Sequence, residues 1–143
     1  MDDYQSFEEI CSLVKSFESC EIKPDDFSHR VHLTAAVFYL SQSGFEEAAK
    51  NVKEGLHRFL SHYNLNGYNE TITLFWLKVV EDFLRQNEKD ISMLDLVNKT
   101  VEARGDSKLI FHHYSRELLN TEKAKTSWVE PDLKTLDALF KFS

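Results

Sequence analysis

The chain alternates stretches in which apolar side chains recur every three or four residues with short polar breaks, the pattern of amphipathic helices. Phe7, Ile10, Cys11, Val14 and Phe17 form the first stripe, and Ser6 with Glu9 reads as a capping box at its start. A connector, "ESCEIKPDD", places Pro24 and two acids just ahead of the next helix start. That second helix is predicted from about Ser28 to Gln42, ended by Ser43 and Gly44. His29, His32, Leu33, Ala36, Tyr39 and Leu40 share one side of it, and Arg30 lies off that line. The third helix, from about Phe45 to Tyr63, is the clearest. Ala48, Ala49, Val52, Leu56, Phe59 and Leu60 make one stripe, while Glu46, Lys50, Lys53, Glu54 and Arg58 make a solvated face with His57 at its border.

After the turn-rich "NLNGYN" a fourth helix starts, with Asn69 as N-cap. Apolar residues from Ile72 to Leu84 wrap most of its surface, which predicts a central helix. A fifth begins at Ser92, carries Met93, Leu96, Val97 and Val101, and stops around Gly105. The remainder is less regular: a helix through Leu118 or Leu119, a short helical turn around Glu122 to Lys125, an irregular "SWVEPDL" and a final turn to Phe140. The pattern therefore predicts an all-α fold in which residues 1–143 form a single domain. It has one bundle of about five main helices with an irregular C-terminal segment packed on it.

Composition supports this reading. A chain of 143 residues is long enough for a substantial core, and eleven Phe, five Tyr and two Trp supply large apolar groups for it. Two Pro and four Gly are too few for a many-turned β fold or for disorder. The net charge of −7, with no Lys/Arg run, argues against nucleic acid as the main partner, because phosphate contacts supply much of that affinity. Cys11 and Cys20 form no CxxC pair and no disulfide framework, and Cys11, on an apolar face, is expected as a buried thiol. "MDDYQSFEEI" has no basic segment followed by an apolar one, and no apolar run reaches membrane-spanning length. A cytoplasmic location and no membrane partner are expected.

Three clusters carry candidate chemistry. His29 and His32 have i, i+3 spacing, which on a helix brings their Cβ atoms within roughly 5–6 Å and lets two imidazoles approach one metal ion. Glu70, in the first turn of the fourth helix, is the favoured third ligand, with His62, His112 or His113 as others. Such a set suits Zn, Fe or Mn. HxxH alone is unspecific, however, and no HExxH is present. For a metal, the plainer reading of a capping and a core histidine is preferred; for a polar pocket built on His29, Arg30 and His32, the functional reading is. Tyr68, Asn69, Glu70, Thr71 and Thr73 crowd a second helix start, whose free N–H groups suit an anion or a carboxylate, although capping accounts for Asn69 and Glu70. In "FHHYSRELL", Tyr114 and Arg116 could add a hydroxyl and a guanidinium to the pocket, against a structural ion pair for the arginine. His112 and His113 read as a surface pair, and without a GxSxG elbow Ser115 is a poor nucleophile.

"FSHRVHL", "YNETITLFW" and "YSRELLNTEKAKTSWVEPDL" together resemble a family of uncharacterised small bacterial helical proteins. Its members carry F-[ST]-H-R-x-H-L, then Y-H-E-T-[IL]-T, then Y-S-R-E-x-L-x-S-x-x-A-x-x-x-W-V-x-P-D. On that resemblance His29, Arg30, His32, Tyr68, Glu70, Thr71, Thr73, Tyr114, Ser115, Arg116, Trp128, Pro131 and Asp132 fall on motif positions. Asn69 stands where the pattern has His. The resemblance implies no activity.

The leading expectation is thus a small-molecule pocket in which His29, Arg30, Tyr68, Thr71, Tyr114 and Arg116 bind the ligand. In an enzyme, His32 or Glu70 would serve as general base and Arg30 would hold an anionic group. An anionic ligand is favoured over a divalent metal on His29, His32 and Glu70, because Asn69 leaves one nitrogen ligand fewer. The alternative is a non-catalytic protein-interaction module whose polar clusters are helix caps.

Overall fold

A computed structural model of the chain describes residues 3–87, 90–137 and 139–140. It is all-helical, and four of the five main helices start at a residue whose side chain caps them. In α1 (Phe7–Glu18) the Ser6 hydroxyl accepts the Glu9 N–H at 3.2 Å, and the Glu9 carboxylate reaches back to the Gln5 N–H at 2.8 Å. α2 (His29–Gln42) is capped by Ser28 on the Val31 N–H. α4 (Glu70–Gln86) is capped by Asn69 on the Ile72 N–H, and α5 (Met93–Arg104) by Ser92 on the Asp95 N–H. Each of these contacts satisfies an N–H that the helix itself leaves without a partner. α3 (Phe45–His62) begins at Gly44 with no side-chain cap. Two short helices follow, α6 (Arg116–Leu119) and α7 (Glu122–Thr126), with 3-10 turns at Pro24–Asp26 and Leu109–His112.

Two helices form the centre. α4 packs against α2, α3, α5 and α7, as its wrapped apolar surface predicts. α2 is equally central, because α1, α3, α4 and α5 all pack on it. Val31, Thr34, Ala35 and Val37 are buried along with Leu33, Ala36 and Tyr39, so apolar spacing on one face understates how enclosed this helix is. Alanines at 35 and 36 let neighbours approach closely, and the Thr34 hydroxyl stays satisfied by donating to the Arg30 carbonyl at 2.8 Å. Phe59 and Trp76 are buried, as their stripes predict.

The C-terminal segment is tied to α4 by polar contacts. The Thr71 hydroxyl lies 2.9 and 2.8 Å from the Ala124 and Ser127 carbonyls. The Asn69 side-chain amide donates to the Leu119 carbonyl, and the fully buried Tyr114 donates its hydroxyl to the Val129 carbonyl at 2.7 Å. Among the described residues no helix is long and apolar enough to cross a membrane.

Candidate functional site

The start of α2 sends its polar side chains to different neighbours. His29 places Nε2 3.1 Å from the Arg104 carbonyl at the end of α5 and sets its ring edge-on to Trp76, with centroids 4.3 Å apart. Burial lowers its pKa, against the opposing pull of the Arg104 carbonyl and the Asp106 charge. The Arg30 guanidinium lies 3.9 Å over the Tyr4 ring. Both residues line a cavity of about 540 Å³ shared with Asn98, Val101 and Glu102 of α5.

His32 belongs to another place, a cleft of about 200 Å³ between α2, α3 and the start of α4. Phe27 and His32 come from one side, Leu56, Phe59 and Leu60 from α3, and Ile72 and Thr73 from α4. The turn at Gly67, Tyr68 and Asn69 closes the end. Gly67 has φ of +114°, a conformation that side chains strongly disfavour, so glycine is what lets the chain turn into α4 there. Phe27 and Phe59 lie 4.9 Å apart at the base. No lining residue is Lys, Arg, Asp or Glu.

The polar groups of this cleft differ in what they have left to offer. The Asn69 side chain is used twice, by the Ile72 N–H and the Leu119 carbonyl, and the Thr73 hydroxyl donates to the Asn69 carbonyl at 2.9 Å. The His32 ring packs 6.1 Å from the Phe27 ring, and no hydrogen bond among the described residues ends on its nitrogens. His32 retains some exposed surface, but the protein around its ring drives the pKa from 6.5 down to about 4, chiefly by burial and secondarily by the His29 charge. At neutral pH it is an uncharged imidazole with one donor and one acceptor.

Glu70 turns to α3 instead of α2. Its carboxylate takes Lys53 Nζ at 2.5 Å and the Tyr68 hydroxyl at 2.6 Å. Burial alone would raise its pKa, but these hydrogen bonds and the charges of Lys53 and His57 outweigh that and hold it below the usual value. Tyr68 is stacked on His57 with centroids 4.0 Å apart, and burial and the Glu70 contact raise its pKa. So Glu70 is engaged with Lys53 and Tyr68, whereas His32 lines a cleft that Glu70 does not line. Among the described residues no three His, Cys, Asp or Glu side chains are grouped to hold a metal ion, so His29, His32 and Glu70 are not assembled as a ligand set.

The remaining candidates hold the C-terminal segment or lie away from the cleft. Thr71 and Tyr114 bind backbone carbonyls as described above, and the Arg116 guanidinium lies 3.9 Å over Phe111. Ser115 caps α6 and donates to Asp132 at 2.6 Å. His113 is buried against Phe75, with Nδ1 3.0 Å from the Lys134 carbonyl, so the expected surface pair reduces to the exposed His112. Cys11, expected to be buried, is half-buried, and Cys20 is buried. The cleft walls Phe27, Leu56, Phe59, Leu60 and Ile72 were absent from the sequence-derived site. Their apolar spacing marks them only as core, and nothing local distinguishes a core residue from one beside a cleft.

Compared with protein-family models, curated proteins and solved structures, the chain matches none.

Proposed function

We propose that the chain binds a small molecule in the cleft beside His32. The carrying observation is an imidazole held neutral by its surroundings, with no hydrogen-bond partner among the described residues, in a cleft whose other walls are mostly apolar. His32 retains some exposed surface and lines the cleft, so a molecule entering the cleft can reach its imidazole. The volume of about 200 Å³ suits a group on the scale of one ring, since an engineered cavity of about 150 Å³ accommodates benzene.

This reading moves away from an anion or a divalent metal. Arg30 and His29 face another cavity, Lys53 is paired with Glu70, and a neutral His32 adds no positive charge. A general-base role for Glu70 is also disfavoured, because both its oxygens are engaged and its pKa is lowered.

The test is a fragment screen by two-dimensional NMR on isotope-labelled protein, using neutral, anionic and cationic fragments together with zinc and manganese. Shifts concentrated at His32, Leu60 and Ile72, and lost when Leu60→Trp fills the cleft, would support the proposal. Shifts centred on His29 and Arg30, or metal-induced shifts at His29 and Glu70, would reject it.

A further inference from the structure

Resting on that reading, we infer that the ligand is an uncharged monocyclic aromatic alcohol, a phenol-like molecule whose hydroxyl meets the His32 imidazole while its ring lies against Phe27, Phe59 and Ile72. The Thr73 hydroxyl donates to the Asn69 carbonyl, and the Asn69 side chain already bonds the Ile72 N–H through its oxygen and the Leu119 carbonyl through one of its two N–H groups. Tyr68 donates to Glu70, which leaves only acceptor capacity on its oxygen. Among the described residues, His32 is the lining side chain for which neither the ring donor nor the ring acceptor has a hydrogen-bond partner in the protein. The ligand's polar atom must therefore be able to give or take a hydrogen bond with a single imidazole, which a hydroxyl does.

Charge narrows the class further. A carboxylate entering the cleft would lose hydration and find no Lys or Arg among the lining residues, and an ammonium would find no Asp or Glu there. The apolar walls favour an aromatic body in particular. Phe27 and Phe59 present tilted rings 33° apart, and the His32 ring is tilted 40° to Phe27. An added ring can thus make offset or edge contacts of the kind that aromatic groups prefer.

The experiment compares three probes of similar size, phenol, toluene and benzoate, by NMR titration of the intact chain at pH 7.5. Phenol should perturb His32, Phe59 and Ile72 and bind about five- to tenfold more tightly than toluene, the ratio expected of one net hydrogen bond. Benzoate should bind at least tenfold more weakly than phenol. In His32→Leu, and in His32→Phe as a second apolar replacement, phenol and toluene should become equal. Toluene matching phenol in the wild-type chain, or benzoate exceeding it, would overturn the alcohol assignment while leaving the cleft as a small-molecule site. Failure of all three to perturb the cleft would overturn the assignment and count against the small-molecule reading as well.

Discussion

Replacing Gly55 by alanine separates local from tertiary effects in this fold. Gly55 lies inside α3, where alanine is favoured over glycine by about 1 kcal/mol on helix propensity alone. A Cβ there would lie 2.6 and 2.7 Å from two atoms of the Phe17 ring, far inside contact distance. Those atoms are the far end of a side chain, which in an open setting would swing aside. Here the ring is only 1% exposed and is flanked by Phe27 at 5.3 Å and Phe59 at 6.3 Å, so it can move only by displacing them. Overpacking of this kind costs about 1–3 kcal/mol, which should exceed the propensity gain and leave a net loss of up to about 2 kcal/mol. Urea denaturation followed by circular dichroism reads this as a lower midpoint at unchanged slope. The cost should shrink in the Phe17→Leu background, giving a coupling energy between the two sites. A Gly55→Ala chain as stable as the parent, or more so, would refute the packing argument. Because Phe27 and Phe59 also form the base of the cleft, the same substitution should weaken ligand binding there.

Truncating Phe59 or Trp76 to alanine should each cost roughly 3–5 kcal/mol in the same denaturation assay, since both side chains are buried. Asn98→Ala removes the amide that both accepts the Tyr4 N–H at 2.9 Å and donates to the Tyr4 carbonyl at 3.1 Å, so about 1–3 kcal/mol should be lost. His32 titrates near 6.5 when unfolded and near 4 when folded, so between those values the unfolded chain binds more protons. Its contribution to stability is therefore complete above about pH 6.5. Roughly 3 kcal/mol should be lost as pH falls through 4. Urea midpoints at pH 7.5 and 4.5 measure this, and His32→Leu should flatten the difference.

The helix starts were legible because capping is local: Ser6, Ser28, Asn69 and Ser92 each bond an N–H three residues ahead. The stripes of α3 and α4 were legible for a similar reason, since one face or nearly all of the helix is apolar. α2 was harder, because small residues and a threonine are buried on the sides that periodicity leaves unassigned. The candidate site was only partly legible. His29 and His32 are neighbours in sequence, but one helical turn separates their surroundings: Trp76 and Arg104 for one, Phe27 and the cleft for the other. Glu70 and Tyr68 were singled out as one cluster, yet the partners that engage them, Lys53 and His57, sit on what reads as the solvated side of α3 and its border. Thr71 and Tyr114 illustrate the remaining difficulty. A hydroxyl that fastens a backbone carbonyl and one that meets a ligand look the same until the chain around them is placed.

The most direct test of the account is a crystal structure of the chain soaked in phenol. The account predicts ring-shaped density between Phe27, Phe59 and Ile72, with the phenol oxygen within hydrogen-bond distance of a His32 ring nitrogen. An empty cleft at saturating phenol, or phenol bound instead beside His29 and Arg30, would contradict it.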